Sequence, residues 1–390
     1  MMGEKLAGRV KSLPDSVIRE MTKLAEKYDA VNLAQGFPDL EPPAEVKEAA
    51  KKAIDMGYNQ YARTWGTREL CEAIAKRCKD FNGIEVDPEK EVVVTCGSTE
   101  AMMSSILAVV DKDDEVIIFE PFYENYWPDT VIAGGKPVFI ELKQPTFKVD
   151  EEELKRVFSR KVKAVIINNP NNPSGKVFSQ QDLKLIRDLC LDYDALVISD
   201  EVYDNLIYDG AKHVSIASLP GMYERSLTIN SISKTYNATG WRVGWVVGCS
   251  ELIDAVKKVH DFLTVGAAHP LQKAAEKALS LPRSYYNWLV SEYSRRRDIM
   301  LKILDEAGFR YYKPDAAYYV LADITGYGFD DDFKFSEYLV REVGVAVVPG
   351  SSFYYGGKGS NLVRFQFARH VDTLLEAGRR LTKLRKLRQP

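Results

Sequence analysis

Residues 226–248 read SLTINSISKTYNATGWRVGWVVG. Two apolar runs, 226–231 and 243–248, flank a polar turn. That turn carries Lys234 among Ser231, Ser233 and Thr235, and leads to Arg242. A lysine head is strongly hydrated and ordinarily lies on a surface. Its place just ahead of a buried strand therefore asks for a chemical reason.

The same texture extends outward. Further short runs rich in Val and Ile lie at 91–95 (EVVVT), 115–120 (EVIIFE), 137–140 (PVFI), 163–168 (KAVIIN) and 195–200 (ALVISD). Taken together the runs lack polar alternation, as expected of a sheet covered on both faces. Helical patterns separate most of them, such as 99–110 and 179–193, the second with Ser179 as its expected N-cap. Strand–helix alternation predicts an α/β fold with a doubly wound, mostly parallel sheet.

After about residue 280 the pattern changes. A long helix is expected over 284–308, ending at a C-capping glycine. Strands follow at 317–323, 345–350 and 362–368, and helices at 332–343 and 371–386. This predicts an α+β C-terminal domain. The first 45 residues hold a helix at 14–28 and the extended stretch VNLAQGFPDLEPP. They are too short to fold alone and are expected to pack on that domain. The expected division is 1–45, 46–282 and 283–390.

Composition narrows the function. The 390 residues carry 53 basic and 56 acidic side chains, a formal net charge of -3, which gives no electrostatic case for nucleic acid or anionic membranes. The basic end KLRKLRQP suits the solvated end of a last helix. No apolar run approaches the ~20 residues that span a bilayer. The five cysteines are scattered and lack a C-x-x-C pair, which predicts reduced thiols and a cytoplasmic protein. The four histidines lie far apart, so no zinc-type spacing exists and no metal is expected.

In such a sheet ligands bind where the strands deliver their carboxyl ends. Strand 91–95 leads to Gly97, Ser98 and Thr99 at a helix start, where free N–H groups suit a cap or a phosphate. Strand 163–168 leads to NNPNNPSG, a stiff loop whose asparagines hold either a turn or a ligand. Strand 195–200 delivers Asp200 and Tyr203, and strand 226–231 delivers Ser231 and Lys234. Neither loop matches the glycine motifs of ATP or dinucleotide sites. One small ligand would use an amine, an acid, hydroxyls, an asparagine and an arginine together, and that is pyridoxal 5'-phosphate.

At these residues the chain resembles the class I/II aminotransferases, pyridoxal-phosphate enzymes of fold type I. The motifs are GSTEA, EPFYENY, NNPNNPSG, SDEVYDNLIY, SISKT, TGWRVGW, VVPGSSF and VRFQFA, in the family's order. The resemblance implies a seven-stranded, mostly parallel large domain and a smaller domain built from both chain ends. It also assigns roles. Lys234 matches the catalytic lysine that binds the cofactor as a Schiff base and shuttles the Cα proton. Asp200 matches the ring-nitrogen partner. Tyr203 and Asn172 match donors to the phenolic oxygen, and Tyr123 the stacking ring. Gly97, Ser98, Thr99, Ser231 and Arg242 match the phosphate site. Arg364 matches the grip on the substrate α-carboxylate, with Gly36 and Asn172 beside it. Tyr61, in NQYART, matches a tyrosine reaching the neighbouring subunit's phosphate, which implies a homodimer. Trp65 and Phe353 are further candidates for the side-chain pocket.

The resemblance is nearest to the aromatic, kynurenine and glutamine transaminase branch. It implies an aromatic or other uncharged amino donor and a 2-oxo acid acceptor such as 2-oxoglutarate. Dicarboxylate-specific relatives carry an extra basic residue. LTVGAAHP (263–270) has none, and Glu100 stands after the CG turn where another branch has lysine. An aspartate aminotransferase and a β-lyase acting on cysteine conjugates are the alternatives on the same fold.

Overall fold

The structure is a computed structural model that describes residues 7–11 and 13–387. The last three residues of the basic tail lie outside the described residues. Its strands are β1 (Val31–Asn32), β2 (Val92–Thr95), β3 (Glu115–Glu120), β4 (Lys136–Glu141), β5 (Val162–Asn168), β6 (Leu196–Asp200), β7 (Ser226–Ser231), β8 (Gly244–Val247), β9 (Arg310–Tyr312), β10 (Tyr319–Asp323), β11 (Val345–Ala346), β12 (Val348–Pro349) and β13 (Leu362–Gln366).

Seven strands form the main sheet in the order β2-β8-β7-β6-β5-β3-β4. All run parallel except β8, which pairs antiparallel with both β2 and β7. The expected mostly parallel seven-stranded sheet is therefore present. Successive residues of a strand face opposite sides. Val116, Ile118, Ala164 and Ile166 join one core, with Met102 and Ile106 of the helix Ser98–Val109. Ile117, Phe119, Val165 and Ile167 join the other, with Leu183 and Ile186 of the helix Gln180–Tyr193. Both faces are buried, which is why these runs are apolar throughout. Each of the larger of these side chains contributes about 1.5–3 kcal/mol on burial.

The helix Gln180–Tyr193 begins as expected. Ser179 accepts from the Asp182 N–H, and Asp182 returns a bond to the Ser179 N–H. The helix Arg283–Ala307 ends at Gly308, with φ of 93°. A second sheet, β12-β13-β10-β9, is antiparallel. Its β13 sets Arg364 opposite Leu321 of β10 and Val348 of β12.

Some boundaries differ from expectation. The strand expected at 345–350 is two short strands: β11 pairs in parallel with β1, and β12 joins the second sheet. The strand expected from 317 starts at Tyr319, because Ala317 holds a φ of 60° that no strand accommodates. The helix expected at 14–28 is Val17–Lys27, started by the Ser16 cap. Of VNLAQGFPDLEPP only Val31–Asn32 pairs as a strand. The helix expected at 332–343 is α-helical over Asp332–Tyr338, widens over Leu339–Val343 and stops at Gly344, with φ of 85°. Among the described residues all five cysteines are free thiols, and no helix is long and apolar enough to cross a membrane.

Candidate active site

The parallel strands end along one edge of the main sheet. An antiparallel strand begins where its neighbours end, so the approach to β8 lies on that edge as well. Arg242, two residues ahead of β8, thereby joins the loops after β2, β3, β5, β6 and β7. A cavity of about 340 Å³ opens there. Gly36, Ser98, Thr99, Tyr123, Asn172, Asp200, Tyr203, Lys234, Arg242 and Arg364 line it, brought together from distant parts of the chain.

Lys234 sits in the short helix Ile232–Thr235 directly after β7. Its Nζ donates to the Gly36 carbonyl at 3.2 Å and lies 5.8 Å and 5.9 Å from the Tyr203 and Tyr318 rings. Burial holds its amine down at about 8, reinforced by the Arg242 and Arg364 charges and opposed by Asp200. Asp200 ends β6 and is buried. Its Oδ2 accepts from the Tyr126 hydroxyl at 2.9 Å and its Oδ1 from the Val202 N–H at 3.3 Å. Burial raises the carboxyl to about 6, although those two bonds and Lys234 favour the charged form.

Arg364 is fully buried, at 0% exposure, yet it makes no ion pair among the described residues. Its Nη1 donates to Asn172 Oδ1 at 2.9 Å and its Nη2 to the Ala34 carbonyl at 2.6 Å, while its Nε has no partner. The guanidinium lies 4.3 Å and 4.8 Å from the Tyr319 and Phe353 rings. A buried cation in aromatic surroundings with an idle donor calls for an anion. Tyr203 and Tyr319 join hydroxyl to hydroxyl at 2.9 Å, and the Tyr318 hydroxyl donates to the Gly36 carbonyl at 3.0 Å.

At the other end, the helix Ser98–Val109 starts at Gly97 with no side-chain cap. Its first N–H groups remain open toward the cavity. Arg242 Nη2 reaches Thr99 Oγ1 at 3.5 Å and its Nη1 the Thr239 carbonyl at 2.8 Å. A Cβ on Gly97 would stand 2.2 Å from that guanidinium, so glycine makes the room. Uncapped N–H groups, hydroxyls and an arginine form an anion cradle.

Several expected residues take other places. Ser231 does not line the cavity; its hydroxyl accepts from the Ser233 N–H and caps the short helix. Ser233 lines the cavity instead, with its buried Oγ unpartnered. Gly97 acts by the space it leaves. Tyr61 is 84% exposed and away from this chain's cavity. Trp65 packs beneath Arg63 and Lys257, and Phe353 backs Arg364 without lining the cavity.

Sequence reasoning missed Tyr126, whose signal was its place in EPFYENY three residues after Tyr123; a turn joins the two, closed by the Tyr126 N–H on the Tyr123 carbonyl at 3.2 Å. It also missed Arg19 and Glu124 at the mouth, and a buried cluster beneath Asp200. In that cluster Glu201 accepts from Ser199 and Ser215 and faces His213 at 3.0 Å, while Asp204 pairs with Arg77 at 2.6 Å. Glu201, Asp204 and His213 have metal-like spacing, but Ser199, Ser215 and Arg77 already donate to the two carboxylates, and His213 Nε2 is turned to Glu201.

Comparison with known proteins identifies the family of the chain. The family model for aminotransferase class I and II matches residues 28–380. Kynurenine–oxoglutarate transaminase 3 of Mus musculus is 39% identical, over 95% of this chain and 88% of that protein. An aspartate aminotransferase of Pyrococcus abyssi is also 39% identical, over 97% and 98% of the two chains. The solved structure of N-succinyldiaminopimelate aminotransferase from Mycobacterium tuberculosis superimposes with a TM-score of 0.95 at 38% identity, covering 97% of this chain and all of that one.

Proposed function

Since the chain belongs to the class I and II aminotransferases, enzymes that use pyridoxal 5'-phosphate to exchange amino groups between amino acids and 2-oxo acids, we propose that its donor is an L-amino acid with an aromatic or other uncharged side chain. The acceptor is a 2-oxo acid such as 2-oxoglutarate, and the two half-reactions alternate in one cavity. The observation that carries this reading is the convergence of Lys234, Asp200 and Arg364 on that cavity. The kynurenine relative supports an aromatic donor. Tyr123, Tyr319, Phe37 and Ile18 supply apolar lining.

Among the described residues the cavity fits the cofactor on its own features: an open helix start, Arg242 with no acidic partner, a buried Ser233 hydroxyl without a partner, and a buried carboxyl in want of a cation. Lys234 would hold it covalently. Ser98, Thr99, Ser233 and Arg242 would hold its phosphate, Tyr203 and Asn172 its phenolic oxygen, Asp200 its ring nitrogen and Tyr123 its face. When bound, the cofactor supplies a cationic ring that draws electrons from the substrate's Cα.

The chain's residues do the rest. Asp200 would favour a protonated ring nitrogen on the bound cofactor, since a buried carboxylate gains most from a facing cation. Tyr126 orients that carboxylate by donating to Oδ2. Arg364 clamps the α-carboxylate through its idle Nε and so fixes the Cα–H toward Lys234. Lys234, whose amine burial holds down at about 8, would take the Cα proton on Nζ and hold it for return.

The active unit is a homodimer in which Tyr61 reaches the partner's phosphate site. The 84% exposure of Tyr61 and the 92% exposure of Phe262 support this, because a monomer would leave both rings in water. A donor screen against 2-oxoglutarate with Phe, Tyr, Trp, kynurenine, Gln, Met, Ala and Asp tests the proposal. Turnover of Asp above every aromatic donor would overturn the donor class. The Lys234→Ala variant should lose the bound chromophore and turnover together.

A further inference from the structure

Six charged side chains line the cavity, and the reaction as proposed employs four of them: Asp200, Lys234, Arg242 and Arg364. Arg19 and Glu124 remain, both lining the same cavity. Arg19 stands in the first turn of the helix Val17–Lys27 and is exposed. Among the described residues its guanidinium forms no ion pair and no hydrogen bond; only its backbone N–H is engaged, by Ser16 Oγ at 3.4 Å. The same Ser16 hydroxyl lies 2.9 Å and 3.0 Å from the two Glu124 carboxylate oxygens. This tie holds the start of the helix at the cavity, with Ile18 buried beneath it, and among the described residues Glu124 forms no ion pair with Arg19.

We propose that Arg19 is a specificity residue: it binds the distal carboxylate of the dicarboxylic 2-oxo acid, or of the amino acid made from it, when the α-carboxylate is on Arg364. This rests on the reading of Arg364 given above. The physical reason lies in having two substrates in one cavity. A buried cation at the side-chain end would serve a dicarboxylate, but it would be left desolvated and unpaired whenever an uncharged donor was bound. A cation on an exposed helix turn at the mouth avoids that cost, because its long side chain returns to water. Its contribution is correspondingly modest, since an exposed pair is partly screened.

The test compares glutarate with pentanoate, which have the same chain length and differ by the second carboxylate. Both are titrated by calorimetry into the cofactor-loaded dimer, for the wild type, Arg19→Ala, Arg19→Lys and Arg364→Met. The expected wild-type preference for glutarate is about three- to tenfold, as suits a partly exposed guanidinium–carboxylate pair. Arg19→Ala should abolish that preference while leaving pentanoate within about twofold, and Arg19→Lys should keep part of it. Equal affinity of the wild type for both acids would overturn the proposal. So would a preference that survived Arg19→Ala, or an equal loss of both acids in that variant. Pentanoate binding that survived Arg364→Met would instead sink the role given to Arg364. A donor screen without aromatic turnover would sink the donor class and leave the glutarate comparison intact.

Discussion

The amine of Lys234 should titrate near pH 8, where an ordinary lysine titrates near 10.5. The cause is burial first, with Arg242 and Arg364 adding to it and Asp200 opposing. At pH 8 half of the Lys234 amines would then be neutral, against about 0.3% for an ordinary lysine, a ratio of about 150 in the reactive form. The assay is competitive labelling of the cofactor-stripped enzyme with a small amine-reactive reagent, read by peptide mass spectrometry from pH 6 to 11. Lys234 modification should rise with a midpoint near 8, while the exposed lysines rise near their usual value. Arg364→Met removes a cation and should move the midpoint up. Asp200→Asn removes the opposing charge and should move it down. A midpoint near 10.5, or shifts of the opposite sign in these two variants, would refute the argument that burial and neighbouring cations prepare this lysine as a base.

Other outcomes follow from single contacts. Tyr126→Phe deletes the bond to Asp200 Oδ2; a hydrogen bond to a charged group is worth about 1.5–3 kcal/mol, so cofactor affinity should fall roughly tenfold or more, read by fluorescence titration, with the far-ultraviolet dichroism unchanged. Gly97→Ala sets a methyl against the Arg242 guanidinium at a φ of 83°; phosphate-end affinity should drop at least about tenfold, as loss of a charged hydrogen bond implies, measured with inorganic phosphate as competitor. The Asp200 carboxyl is raised from 3.8 to about 6 by burial, so the folded apoenzyme binds more protons than the unfolded chain between those values, and stability is lost as pH rises through about 6. At pH 8 the apo Asp200→Asn variant should therefore exceed the wild type by about 3 kcal/mol in urea unfolding, with the difference gone below about pH 4. The buried His260 faces the Glu100 carboxylate at 3.0 Å through Nδ1 and the Thr64 carbonyl at 2.9 Å through Nε2, two groups that only accept. Both ring nitrogens must carry hydrogen, so its nuclear magnetic resonance titration should show a midpoint above 6.5; the stabilisation is present at lower pH and lost as pH rises through that midpoint.

The sequence by itself determined the sheet. Runs such as KAVIIN are apolar at every position because both faces of β5 are covered, and that demand is written residue by residue. It also determined where Lys234, Asp200 and Arg242 lie, because each ends, follows or precedes a strand and therefore lands on the edge where the strands end. Hydrogen-bond partners are different in kind. Which hydroxyl caps and which faces the cavity is decided by where β7 ends and the short helix begins: Ser231 is its N-cap and Ser233 lies within it. Tyr126 finds Asp200 across 74 residues, Arg364 finds Asn172 across 192, and Ser16 finds Glu124 across 108. Such pairs leave no periodicity in the chain, because they arise only when separate elements pack. The tertiary structure alone decided that Arg364 would be a buried cation with an idle donor and Arg19 an exposed one that meets no side-chain partner among the described residues. Burial sets the cost of an unpaired charge, and burial belongs to the assembled fold rather than to any stretch of sequence.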